Sequence, residues 1–153
     1  CQGGKSQMSR DHERGPINEC SIGTDCPLDR PAESMVLTVR PDNGEYFTNT
    51  VLHEFGHALG AQHEHQHPDA RIPWNRQRLL ELHTGAGGWT EQDVDEQYFN
   101  PLEISGLLMT DYDPLSVMHY PVSPALTDGL FEIPLNTELS EKDKTFMRLA
   151  YPY

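Results

Sequence analysis

At 153 residues the chain has the length of one domain and is too short for two full hydrophobic cores. Its 11 lysines and arginines against 24 aspartates and glutamates leave a net charge of −13, which argues against attraction to a phosphate backbone and so against nucleic acid as a partner. Apolar runs are no longer than Met35-Val36-Leu37, far short of the roughly 20 residues a membrane-crossing helix needs. No membrane span is expected.

Twelve prolines, twelve glycines and a hydrophobic fraction of 36% point to a loop-rich fold held by few apolar residues. Residues 1–16 are polar with no helical or strand period and read as irregular. Residues 17–23 read as a short strand, followed by a turn region over 24–31. Residues 34–39 read as a second, more apolar strand that ends before Pro41, Asn43 and Gly44. All three cysteines, Cys1, Cys20 and Cys26, lie in this opening stretch. A Cys20–Cys26 disulfide would leave Cys1 unpaired, and three reduced thiols are the equal alternative.

Thr48 or Asn49 is placed to cap a helix running to about Leu59 and stopped by Gly60. With His53 set to zero at about 100° per residue, His57 falls near 40° and Glu54 near 100°, a narrow polar face. Val51, Leu52, Phe55, Ala58 and Leu59 spread over about 140° to 260° and form the expected core face. A continued helix would turn His63 about 240° away from His57, so the backbone has to reverse near Gly60 if a third imidazole is to return. Further helices are expected over residues 75–82, over 91–97 behind Thr90 with Asp93 three residues on, and over 141–150 behind Ser140 with Asp143.

His53, His57 and His63 together offer three neutral imidazoles, a donor set that suits one zinc ion and leaves a fourth position open for water, as in catalytic rather than structural sites. Glu54 follows the first histidine directly and is positioned to take a proton from that water as general base. A second signal lies at Ser116-Val117-Met118-His119-Tyr120-Pro121. By itself a methionine beside aromatics is ordinary core filling.

The zinc-type motif with Gly60 and His63, joined to this later methionine turn, resembles the metzincin clan of zinc endopeptidases and, within it, the astacin family. Glu64 directly after the third histidine and the Ser-Val-Met-His-Tyr wording carry the second resemblance. It implies that His53, His57 and His63 are the zinc ligands, that Glu54 is general base and acid, and that Met118 forms an apolar floor under the metal. Tyr120 would bind zinc at rest and swing away to stabilise the oxyanion, and Glu64 would receive a mature N-terminus. Ala61 and Gln62 depart from the aromatic-containing pair common in the family, and the cysteines do not match its two disulfides.

The implied fold class is α+β, metzincin-like: a small twisted sheet over the active-site helix and a helical lower half closed by a C-terminal helix. Residues 1–153 would form a single catalytic metalloprotease domain, and because 52 residues precede His53, part of the family's N-terminal sheet is expected to be missing. The implied function is a secreted, monomeric zinc metalloendopeptidase that hydrolyses peptide bonds by attack of a zinc-bound water activated by Glu54. Protein or peptide substrates are its partners, and a propeptide or protein inhibitor is the other partner class the resemblance admits. A non-catalytic zinc-binding or interaction module derived from such a protease is the alternative. Of the other residues, His65 and His67 read as solvated loop histidines and His119 as held near the turn away from metal. Asp111 and Asp113 read as shaping the turn at Pro114, Trp74 and Trp89 as anchoring the long connector, and His12 and His83 have no partner visible in sequence.

Overall fold

Two short strands, Asn18–Cys20 (β1) and Met35–Leu37 (β2), pair antiparallel with Asn18 opposite Leu37 and Cys20 opposite Met35. This computed structural model describes residues 18–23, 35–84, 88–100, 102 and 105–152. The expectations placed on Cys1, His12, Ile17, Cys26 and Ser34 lie outside the described residues. Both strands are shorter than the sequence pattern suggests, and Asn18 supplies a reason on β2. Its Oδ1 accepts from the N–H groups of Thr38 at 2.9 Å and Val39 at 3.3 Å, donors that a longer ladder would have used. Among the described residues the architecture is α+β, a two-stranded sheet followed by four α-helices. They fall into two compact units, Cys1–Gln62 with Thr137–Leu139, and His63–Asn136 with Ser140–Tyr153.

In the first unit the strand period puts Met35, Leu37 and Val39 on one buried face, joined by Cys20, Phe47, Val51 and Ala58. The last three belong to helix α1, Glu45–Ala58. It begins earlier than the expected Thr48 or Asn49 cap. Asn43 closes a 3-10 turn, Pro41–Asn43, by accepting from the Arg40 N–H at 2.8 Å, and Gly44 at φ +61° turns the chain into the helix. Asn49 and Thr50 are buried inside α1 instead of capping it.

The expected core face of α1 is also corrected. Phe55 and Leu59 are 51% and 45% exposed. A two-stranded sheet is narrow, and the residues that meet its apolar face are Phe47, Val51 and Ala58, a stripe spanning only about 120° to 160° on the same count. The polar face is the buried one, with His53, Glu54 and His57 each no more than 8% exposed. The helix then ends in a Schellman motif: the Gly60 N–H donates to the His57 carbonyl at 2.8 Å and the Ala61 N–H to the Gly56 carbonyl at 3.0 Å. Gly60 sits at φ +90°, the left-handed region that such a closure requires and that glycine enters without a Cβ penalty.

In the second unit the two caps expected at Thr90 and Ser140 are formed, and Asn75, which the sequence places inside its helix, caps it instead. Asn75 accepts from the Arg78 N–H ahead of α2, Arg76–His83. Thr90 and Asp93 close a capping box on α3, Glu91–Tyr98, and Ser140 with Asp143 close another on α4, Glu141–Ala150. Leu79 of α2 and Val94 of α3 are wholly buried where those helices pack. Asp113 shapes the turn at Pro114 as expected, accepting from the Leu115 N–H at 3.0 Å, and also takes the Ser140 hydroxyl. Asp143 reaches past its own helix to accept from the Ser116 hydroxyl at 2.6 Å and the Val117 N–H at 3.1 Å. The methionine turn is thereby fastened to the start of α4. Trp74 packs edge-on against Tyr98 and Trp89 stacks on His83, which ties down the connector. No helix among the described residues is long and apolar enough to cross a membrane.

Candidate metal centre

One turn of α1 separates His53 from His57, and their Nε2 atoms lie 3.1 Å apart. The His57 Nδ1 is 2.8 Å from the Ala61 carbonyl. A carbonyl only accepts, so Nδ1 carries the proton and Nε2 keeps its lone pair. The same Ala61 is held by the Schellman closure, so the turn that ends the helix also selects the tautomer of its last imidazole. Burial holds the His57 pKa below its ordinary value, outweighing the opposite push of the Ala61 hydrogen bond, and so favours the neutral ring.

Past Gly60 the backbone reverses, and His63 enters an extended conformation, φ −69° and ψ 126°. The ring nitrogens of His53, His57 and His63 come within 4.8 Å of one another, a convergence contained in one continuous stretch of chain. Two nitrogens bound tetrahedrally to one zinc at the usual bond length would be about 3.3 Å apart, close to the observed His53–His57 spacing. The three imidazoles fit a zinc ion in number and type, and the tautomer of His57 leaves its Nε2 unprotonated for the ion.

Glu54 is 5% exposed, and its Oε2 is buried with no hydrogen-bond partner among the described residues. Burial, with a smaller contribution from the neighbouring Glu19 carboxylate, pushes its pKa up to about 7. Such a carboxyl group gains and loses a proton near neutrality. A buried carboxylate oxygen left without a donor is costly unless something in the site uses it.

In the second unit, the carbonyl of buried Met118 accepts from the Glu64 N–H at 3.0 Å, so the methionine turn holds the residue that follows His63. Glu64 in turn accepts from the Asp113 N–H at 2.7 Å, and burial, its largest influence, raises its pKa. Tyr120 is half-buried with its ring centroid 4.5 Å from that of His63, so two of the sequence-predicted residues are neighbours. His119 is almost fully buried and held at the turn. Its Nδ1 donates to the Tyr120 carbonyl at 2.7 Å, which leaves Nε2 to accept from the Tyr112 hydroxyl at 2.8 Å.

His65 and His67 are not the solvated loop residues that the sequence suggests. His65 is 3% exposed, donates from Nε2 to the Gln97 carbonyl at 2.8 Å, and stacks on Tyr120. His67 is half-buried, with Nε2 donating to the Thr110 carbonyl and Nδ1 accepting from the Asp69 N–H. Alternating histidines after a metal motif carry no periodic signal, and their partners are remote in sequence, so nothing in the local pattern could have found them. His83 likewise finds its partner, the Tyr98 hydroxyl at 3.0 Å, across two helices.

No protein-family model matches the chain, and no curated protein matches it. Among the solved structures there are matches. A structure of myroilysin superimposes with a TM-score of 0.81 at 37% identity, covering 91% of this chain and 69% of that one. A crystal structure of myroilysin gives a TM-score of 0.60 at 34% identity, covering 91% of this chain and 62% of that one. With this identity over most of both chains in the first comparison, the protein belongs to the family of myroilysin.

Proposed function

We propose that this protein is a zinc-dependent metalloendopeptidase of the astacin-like metzincin type. The observation that carries the reading is the convergence of the His53, His57 and His63 ring nitrogens within 4.8 Å, joined on the same helix face by a buried carboxyl group, that of Glu54. Likeness to myroilysin, a metalloprotease, supports it.

In this reading His53, His57 and His63 hold one zinc ion. When bound, zinc polarises a substrate carbonyl and lowers the pKa of a water molecule from 15.7 to about 7. Glu54 takes a proton from the attacking water and returns it to the leaving amine. Its Oε2 has no competing donor among the described residues. Tyr120 offers a phenolic O–H to the oxyanion that develops on the substrate. Met118 supplies the apolar residue of the turn and, through its carbonyl, holds the chain just past His63. The substrate is an extended peptide aligned on β1, and an extracellular setting belongs to the same proposal.

Glu54→Gln keeps the side-chain shape and removes the base. The expected result is one bound zinc per chain with casein cleavage reduced by about 10²- to 10⁴-fold. The wild-type activity should vanish on chelation and return with zinc. Undiminished cleavage by the variant, or cleavage that survives complete metal removal, overturns the proposal.

A further inference from the structure

The C-terminal end of α3 leaves its last carbonyls without helical partners, as every helix does. Two of them are taken by side chains of one 3-10 turn, Glu64–Gln66. The Gln66 amide donates to the Glu96 carbonyl at 2.8 Å, and the His65 ring donates to the Gln97 carbonyl at 2.8 Å. The turn is pinned at two consecutive residues. Its middle residue, His65, cannot rotate without losing the hydrogen bond and leaving the half-buried Gln97 carbonyl without this donor.

The other side of this fixed imidazole meets Tyr120. The two rings are stacked, with centroids 4.3 Å apart and planes 20° from parallel. Tyr120 also lies against His63, 4.5 Å between centroids at 52°, and His119 holds its backbone carbonyl. The phenol is therefore bounded by His63 and by His65. His63 belongs to the candidate metal centre. His65 is anchored to a helix end, and of the two it makes the near-parallel contact.

We propose that His65 is a positioning residue for Tyr120: its ring, locked to the end of α3, keeps the phenol in the one orientation that lies alongside the third imidazole. The inference rests on the role given to Tyr120 in the proposed function and adds the group that holds it there. His65 itself touches neither substrate nor metal in this account. Its contribution is to limit the rotamers that Tyr120 visits before the oxyanion forms, so that the ordering entropy is already spent.

His65→Leu fills the space without a flat ring, and His65→Phe restores the flat ring without the hydrogen bond. For His65→Leu the expected change is a fall in kcat of about three- to tenfold, the value of one aromatic pair, with KM within about twofold of wild type. His65→Phe should recover most of the loss. In the metal-free protein, the upfield ring-current shift of the Tyr120 ring protons should disappear in His65→Leu and persist in His65→Phe, which reads the stack without any catalysis. Zinc stoichiometry and melting temperature accompany each variant. In a Tyr120→Phe background the leucine substitution should cause no further loss of kcat, because the group being positioned is gone.

An equal fractional loss in both backgrounds, or a ring-current shift unchanged in His65→Leu, overturns the role of His65 while leaving Tyr120 in place. Full activity in Tyr120→Phe alone overturns the assignment of Tyr120 and, with it, the purpose of the stack. If His65→Leu does not fold, the phenylalanine variant decides: a kcat as low as that of Tyr120→Phe with the stack intact refutes the proposal.

Discussion

Gly60 adopts φ +90°, and from that conformation it closes α1 and lets Ala61 orient the His57 ring. A Cβ built at Gly60 meets nothing closer than the Gly23 Cα at 4.0 Å, so the space is open and the backbone conformation is the whole difficulty. Gly60→Ala should cost about 1 to 2 kcal/mol of stability, the usual penalty for a side chain in the left-handed region. Zinc affinity should fall with it, measured by competition with a chelator, because relaxing the turn moves both Ala61 and His63. Unchanged affinity would show that the three imidazoles converge without the Schellman closure. At this scale the glutamate is the other informative residue: burial and Glu19 together bring Glu54 to a pKa of about 7, and no property of its sequence neighbours announces that value.

The helices of the second unit differ in what their caps hold, and this separates two otherwise similar aspartates. Asp93 closes the box on α3 and, among the described residues, accepts from Thr90 alone. Asp143 closes the box on α4 and in addition takes the Ser116 hydroxyl and the Val117 N–H of the methionine turn. Losing a cap costs about 0.5 to 2 kcal/mol. Asp93→Ala should fall in that range, whereas Asp143→Ala should exceed it, since a buried hydroxyl and a buried amide lose their acceptor together. Chemical denaturation of the two variants checks the order, and equal losses would mean that the extra bonds contribute nothing net. The same two elements show what local pattern can reveal. Both boxes were legible as Thr90 with Asp93 and Ser140 with Asp143, while the second duty of Asp143 depends on residues 26 and 27 positions away.

Across the whole molecule, acidification acts in opposite directions. The chain carries −13 at neutral pH, so protonation relieves self-repulsion, and the buried carboxyl groups of Glu54 and Glu64, with pKa values raised mainly by burial, become easier to keep as pH falls. His83 works against this. Burial lowers its pKa below the ordinary 6.5, and as a neutral ring it accepts from the Tyr98 hydroxyl, itself pushed up to about 12 by burial. The unfolded chain therefore binds more protons at this site, so the contribution is fully present above the ordinary value and is lost as pH drops through the lower folded one. His83→Gln can still accept the Tyr98 hydroxyl but does not titrate. Between about pH 7.5 and pH 5.5 the metal-free variant should lose less melting temperature, or gain more, than the wild type. Parallel curves would show that the folded chain does not hold His83 neutral.

Several features follow from the order of residues because their causes are local. The spacing of His53, Glu54 and His57 on one turn, the stop at Gly60 and the two caps at Thr90 and Ser140 depend on neighbours within five positions, and 3.6 residues per turn is enough to read them. Both strands are legible, the second as an apolar run, though their ends are not, since Asn18 closes the ladder from the partner strand. Which face of α1 is buried was misread for a related reason: periodicity separates faces, but the width of what covers them is set by a sheet of two strands assembled elsewhere. The burial of His65, the hydrogen bonds of His67, the partner of His83 and the double role of Asp143 all join residues far apart in the chain. Such pairings arise when chain segments pack, and a linear pattern carries no distance information across that gap.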